Sequence, residues 1–548
     1  MPRRLGNLAA IVGMLGLGVV IGCGSETTGD APSPVARRTE VSPPGAKTPS
    51  SGGGNPIRRD GFSDSIRPFG ARPGNGSPRD PKASPPKREP PTPFWKLMEE
   101  AEKQGGWIPG GGARREIDEK KAQLAGIRKI SGKRLTLFTD LPSSPGVDEL
   151  CEVFDAAYPQ WLEYFRVTDN ESAALDKPKP TEPTGKAKGG DNAKGKNKAE
   201  PWRMTGFLMK DQQKFIATGL LPDDLPAFKN GYASGYEFWM NEQPSDYYRR
   251  HLMLHEGTHG FMGTKMRGYG PLWYKEGIAE LMGTHLWRDK KITLGYFPQS
   301  RDEVPYLGRI KLVQDAFARG QARFVEGISK FGPGADFANE SYAWCWAVAA
   351  MLDGHPRYRQ RFRQLSSLVR GTKFETEFRQ VFDEDWDQLG QEWQFFVGNI
   401  EHGYDFQHTA IEFRDGEPLP SGGGQATIAA DRGWQSTGLR LEAGVAYRLT
   451  AQGRYQIGEE PKIWWCEPAG VSIRYHNGVP LGALIAAVQP DEPKPGGVSR
   501  LFDRTVIGLQ GTVRRDYAGT LYLRINEPPS ELADNAGSLN VHVQVETE

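Results

Sequence analysis

The stretch Ser245–Glu280, SDYYRRHLMLHEGTHGFMGTKMRGYGPLWYKEGIAE, decides how the chain is organised. Its first half reads as a helix of roughly three to four turns, because Asp246 is placed to cap the start and only Gly257 interrupts the run from Tyr247 to His259. Gly260 and Gly263 are expected to close it. Helical spacing stacks His255 and His259 on one face, where two imidazoles can grip one metal ion. Glu256 completes the pattern H-E-x-x-H, in which neutral imidazoles hold zinc and the glutamate takes a proton from the attacking water. A helix that merely carries two polar histidines would show the same short pattern.

Hydrolytic zinc takes three protein ligands and keeps one position open. Glu276, in the helical pattern WYKEGIAE, can supply the third ligand, and Glu280 one turn on can hydrogen-bond a ligand imidazole from behind. A solvated acidic helix face is the bland alternative. The neighbours Trp273, Ile278, Ala279 and Leu281 instead predict a buried helix, and buried carboxylates need partners.

H-E-x-x-H followed by W-x-x-E-G-x-A-E resembles the gluzincin group of zinc metallopeptidases, particularly its thermolysin-like and aminopeptidase-type branch, over roughly residues 133–404. The resemblance implies an α+β zincin-like catalytic domain with His255, His259 and Glu276 as zinc ligands and Glu256 as general base. It also implies that Tyr342, which opens the run YAWCWAVAAML, donates its hydroxyl to the oxyanion of the tetrahedral intermediate. A core tyrosine at a helix start would read the same. His251, one turn before His255, is expected in a supporting or surface role, and His285 in a structural one.

With 548 residues, of which 37% are hydrophobic and 25% charged, the chain is long enough for two or three domains with cores of their own. A net charge of +1, with no concentrated basic stripe, argues against a nucleic-acid partner. Residues 1–22 carry Arg3, Arg4 and the apolar run Leu8–Ile21, and V-I-G-C ends at Cys23 as in a bacterial lipobox. An exported lipoprotein is therefore expected, lipidated at Cys23 and facing the periplasm or cell surface. An uncleaved membrane anchor is the alternative, for which about fourteen apolar residues are short.

Residues 23–93 are rich in Pro, Gly, Ser and Arg and read as a disordered tether; Lys177–Glu200 reads as a disordered insert. The catalytic domain is expected over residues 94–404. It should begin with helices in PFWKLMEEAEK and REIDEKKAQLAGIRKI, continue through strands at Lys133–Thr139, Trp202–Lys210 and Tyr232–Asn241, and include a helix at Val147–Phe165. By the resemblance, the strand before the zinc helix is an edge that pairs with extended peptide, although an edge can simply face water. After Glu280 the pattern looks helical to about His402, ending in Arg379–Asn399.

After a linker at 405–425, residues 426–548 turn to short alternating segments punctuated by glycine, the signature of an all-β sandwich. GWQSTG (Gly433–Gly438), the GAL at Gly482–Leu484 and LYLRINEPPSELADNAGSLNV resemble the calcium-dependent galactophilic lectins and related galactose-binding-like jelly rolls. The resemblance implies calcium on Glu527, Asp534 and Asn535, with the Glu531 carbonyl assisting, and a glycan partner. Glu527 and Asp534 stand where that family has aspartate and asparagine, and a plain Asp-Asn-Gly turn is the alternative. Cys151 and Cys345 are expected to be buried free thiols. Two functions are compatible with these features: a zinc peptidase acting on peptide or protein, with endopeptidase action favoured, or a surface carbohydrate-binding or scaffold lipoprotein with a vestigial zinc site.

Overall fold

The computed structural model describes residues 115–169, 201–332, 339–492, 494 and 496–547. The signal segment, Cys23, the tether, the helix expected in PFWKLMEEAEK and the insert at 177–200 lie outside them. Among the described residues no helix is long and apolar enough to cross a membrane.

The first lobe is built on a five-stranded sheet in the order β1-β2-β3-β5-β4. β1 is Arg128–Ser131, β2 Leu135–Thr139, β3 Met204–Met209, β4 Gly231–Ser234 and β5 Glu237–Asn241. β2, β3 and β5 run parallel, whereas β1 and β4 are antiparallel to their neighbours. The central strands are apolar on both faces because both are covered, as parallel strands require.

Three expectations change here. The helix read through REIDEKKAQLAGIRKI stops as α1, Glu119–Leu124, since Gly126 turns the chain at φ 76° and Arg128–Ser131 becomes a strand. The single strand expected at Tyr232–Asn241 is a hairpin turned at Gly235, and the edge is its first arm, β4. Beyond Glu280 the chain is not helical throughout: β6 (His285–Arg288) and β7 (Lys291–Leu294) form a second hairpin.

α2 (Leu150–Phe165) packs its apolar stripe on α3 (Asp246–Phe261). Phe154 meets Trp161 edge-on at 5.1 Å and stacks with Trp202 and Phe238 at 6.2 and 6.3 Å. α3 can lie this close because a side chain on Gly257 would put its Cβ 2.6 Å from the Phe154 ring, and one on Gly260 would strike Met204. Those glycines are contact points of α3, which corrects the expectation that Gly260 and Gly263 end the helix. The helix continues into a π-turn, Met262–Met266, and Arg267 at φ 58° ends it. α4 (Leu272–Gly283) crosses α3, and α5 (Arg309–Ala318), α6 (Asn339–Gly354) and α7 (Trp386–Asn399) build the layer behind them.

The second lobe is β-rich. One sheet sets Thr505–Val506, Leu484–Pro490, Gly519–Ile525, Gln435–Leu441 and Glu417–Pro418 side by side, and the other sets Gln510–Arg514, Ala446–Gln452, Ser538–Val545 and Gly424–Ala429. Leu449, Leu484, Leu521, Leu523, Leu539 and Val541 fill the core they share. The expected linker at 405–425 is folded: Phe406 packs into the core of the first lobe, and Glu417–Pro418 pairs in parallel with Gln435–Leu441 in the second. Phe395 of α7 packs with Ile411, Trp434, Ile485 and Tyr522, and Gln394 exchanges hydrogen bonds with the backbone of Gly497 and Ser499, so the lobes share an apolar seam.

Alanine at Gly257 gains about 1 kcal/mol of helix propensity but overpacks a ring held by three aromatic neighbours, at a cost of about 1–3 kcal/mol. Gly257→Ala is therefore expected to lower stability in urea unfolding by roughly 1 kcal/mol, and Phe154→Leu in the same chain should recover part of that loss.

Candidate metal centre

Ser245, rather than Asp246, caps α3: its Oγ accepts the Tyr248 N–H at 3.1 Å, leaving Asp246 to pair with Arg249 at 2.5 Å. From that start His251, His255 and His259 fall at successive turns on one buried face. His255 Nε2 and His259 Nε2 lie 3.1 Å apart. α4 brings Glu276 across them, its Oε2 3.4 Å from His255 Nε2 and 3.3 Å from His259 Nε2. Bond lengths of about 2.0–2.1 Å set the ligand atoms of tetrahedral zinc about 3.3–3.4 Å apart, so two nitrogens and one oxygen form a triangle the size of one face of that tetrahedron. The donor set fits the metal, and all three groups are buried.

Glu280 lies beside both His255 and His251. Its Oε1 lies 3.4 Å from His255 Nδ1 and its Oε2 3.5 Å from His251 Nε2. Arg309 of α5 holds both oxygens in a bidentate pair at 2.8 and 2.9 Å. His251, His255 and Glu280 also converge closely enough to hold a cation, but Arg309 already neutralises that carboxylate, so the triangle on Glu276 is the better site. His285 Nδ1 contacts the Gly283 carbonyl at 2.7 Å, and its ring stacks on Tyr247.

The triangle opens into a pocket of about 250 Å³, lined by Gly231–Ser234 of β4, Glu256, Tyr269, Lys275 and Tyr342 among others. Gly231 faces Glu256 so closely that a Cβ there would sit 2.5 Å from its Oε1, so only glycine leaves the carboxylate room. Burial pushes the Glu256 carboxyl up to about 7. Burial opposes charge on both histidines, yet Glu276 and Glu280 carry His255 up to about 10, while His259 falls to about 4. Burial also resists ionisation of Glu276 and Glu280, but His259 and Lys275 hold the first, and Arg309 the second, well below the usual carboxylate range. The Tyr342 ring centroid lies 6.2 Å from that of His255, and burial pushes its hydroxyl far above the usual tyrosine range, leaving it a donor.

The residues singled out in the second lobe only partly gather. Glu527 is fully buried and its Oε2 accepts Asn535 Nδ2 at 2.6 Å. Glu527 Oε1, Asn535 Oδ1 and Asn526 Oδ1 are buried without a hydrogen-bond partner. Asp534 Oδ2 accepts the Glu459 N–H at 3.3 Å, and the Glu531 side chain turns away to Arg474. Cys151 and Cys345 are buried free thiols, as expected, and Cys466 is a third. Sequence reasoning missed Arg309 and Lys275. Nothing local marks Arg309 as the partner of Glu280, whereas Lys275 stood in plain view beside Glu276.

No protein-family model matches the chain, and no curated protein matches it. Solved structures give weak likenesses. The N-terminal domain of EclA, a PllA-like lectin, is 20% identical at a TM-score of 0.18, with 22% of this chain and 95% of that one covered. PliG of Aeromonas hydrophila, a periplasmic inhibitor of g-type lysozyme, is 11% identical at 0.15, with 24% and 94% covered. IMPa of Pseudomonas aeruginosa, solved in complex with an O-glycopeptide, is 12% identical at 0.14, with 46% of this chain and 25% of that one covered. Likenesses this low carry no argument about activity.

Removing one partner of a buried ion pair strands the other. Arg309→Met is expected to cost about 3–5 kcal/mol in denaturant unfolding, and the double variant Arg309→Met/Glu280→Gln should recover most of it.

Proposed function

We propose that the chain is a zinc-dependent peptidase of the gluzincin type that hydrolyses peptide bonds within polypeptides. The observation that carries this reading is the triangle of His255, His259 and Glu276 donor atoms, 3.1–3.4 Å on a side, with Glu256 beside it in an open pocket. Zinc held there would supply Lewis-acid polarisation of a carbonyl and a water of lowered pKa. Glu256, raised to about 7 by burial, is suited to take the proton from the water and pass it to the leaving amine. Tyr342, kept protonated, can donate to the oxyanion. β4 lies at the sheet edge along the pocket, so its backbone can pair with an extended substrate with little regard for sequence. Glu256 and Glu276 are the only carboxylates lining the pocket among the described residues, and both have roles at the metal; no third one anchors a free amine, which favours endopeptidase action.

Carbohydrate binding by the second lobe is a further reading, favoured by the hydrogen-bonded pair Glu527 and Asn535, each of which keeps one orphaned buried oxygen of the hard kind suited to calcium. A calcium-held glycan would then deliver the peptidase to its targets. Export as a lipoprotein rests on the apolar run Leu8–Ile21 and the V-I-G-C ending at Cys23.

Purified protein is expected to hold one zinc and to cleave casein or a peptide library in a chelator-sensitive way. Glu256→Gln should retain zinc and lose about 10²–10⁴-fold in rate, whereas His259→Ala should lose the metal too. Cleavage that persists after zinc is stripped would overturn the reading.

The Glu527 carboxyl, pushed up to about 8 by burial, gives a pH test of the second lobe. Because its folded value exceeds the ordinary 4.5, its contribution is fully present below pH 4.5 and is lost as pH rises through about 8, a change on the order of several kcal/mol. Calcium should reverse that loss at pH 8, and Glu527→Gln should abolish both effects, measured by thermal unfolding.

A further inference from the structure

We propose that a chloride-sized anion binds between Arg504 and Arg524, in a small cavity on the seam of the two lobes, an inference independent of the peptidase reading. Arg524 is 4% exposed, and none of its nitrogens meets a carboxylate among the described residues. Its Nε donates to the Ile525 carbonyl at 2.9 Å and its Nη2 to the main-chain oxygen of Glu527 at 2.6 Å, while the Glu527 carboxyl accepts from Asn535. Nη1 has no acceptor among the described residues. The guanidinium lies 5.5 and 5.7 Å from the centres of the Phe395 and Trp434 rings. Arg504, half-buried, gives its Nη2 to the Asn477 carbonyl at 2.7 Å and likewise meets no carboxylate among the described residues.

Buried charge needs a counter-charge, and two guanidinium groups that line one cavity without one repel each other. Burial and the neighbouring Arg504 push Arg524 down to about 10, and burial with Arg524 and Arg504 holds the His476 imidazole at about 4. His476 is therefore neutral at pH 7. Glu527 does not balance the pair, because burial lifts its carboxyl to about 8 and leaves it mostly uncharged at that pH. The buried Trp434 Nε1 has no acceptor either, so the same cavity offers a third donor. A water bridging Trp434 Nε1 and the unpartnered Oδ1 of Asn526 would leave both arginines unbalanced. The cavity holds about 20 Å³, little more than the roughly 10–15 Å³ one water needs, which admits a halide and excludes phosphate or sulfate. Phe395 and Asn399 line it from α7, and Trp434, Arg504 and Arg524 from the second lobe, so an ion held there fastens one lobe to the other.

The test compares thermal unfolding of the whole chain at pH 7 in chloride and in gluconate at equal ionic strength, gluconate being too large for the cavity. The midpoint is expected to rise by about 1–2 °C for each tenfold increase in chloride above the dissociation constant. Bromide should replace chloride and give an anomalous-scattering peak in crystals, in contact with Arg524, Arg504 and Trp434 Nε1. Arg504→Gln, which keeps a donor for the Asn477 carbonyl, should weaken chloride at least tenfold. Equal midpoints in the two salts overturn the proposal, as does a cavity that holds only a water while bromide binds elsewhere. An Arg504→Gln variant that responds to chloride as the wild type does overturns it too. Should that variant not fold, the bromide peak decides by itself.

Discussion

The bidentate pair of Arg309 with Glu280 is what lets the helices around the histidines bring so much charge indoors. Glu256, Glu276 and Glu280 are all buried within two crossing helices, and three like charges at such spacing would repel one another strongly in a weakly polarisable interior. Arg309, itself buried, cancels one of them with two hydrogen bonds. Glu276 is then available to act on His255 and His259. Glu280, once fixed, also presents an oxygen to His255 Nδ1, which turns Nε2 of that ring into the triangle.

Rigidity behind the site comes from the second lobe as well as the first. Trp344 of α6 packs with Trp393 of α7 at 6.1 Å, and the next face of α7 puts Phe395 into the seam with Trp434 and Tyr522. α6 also carries Tyr342. The helix that carries Tyr342 is thus braced by a helix that the β lobe grips in turn, so a change in the seam can be felt at the pocket without any residue of the sandwich reaching it.

Whatever was local in the chain was legible in the sequence. His255 and His259 are held at one turn by the helix itself, and Glu276 and Glu280 by the next helix, so their shared faces could be read from spacing. The burial of α4 could be expected from Trp273, Ile278, Ala279 and Leu281, all of which are inside. What failed was the choice between neighbours and the pairing of distant parts. Ser245 and Asp246 are both good caps, and Arg249 settled the matter by pairing with Asp246. Gly260 and Gly263 look like helix ends, but tertiary contact with Met204 and Tyr269 is what requires them to be small. β1 carries too little apolar alternation to declare itself, because it gains its order from pairing with β2. Arg309 meets Glu280 only because α5 folds back over α4. No periodicity encodes that.

An edge strand able to recognise a substrate must also avoid pairing with other chains. An open edge with free backbone groups invites pairing with any passing strand, and long flat edges aggregate. β4 spans only Gly231–Ser234, turns back at Gly235 into β5, and lies over the buried charges of α3. So short a ladder can hold a few residues of extended chain but cannot template a sheet. Backbone pairing of that length gives little affinity by itself, and most discrimination must then come from what projects into the pocket. There the walls are small, and among the described lining residues Lys275 is the one lysine or arginine. A brief edge beside small walls and one lysine is what the pocket presents.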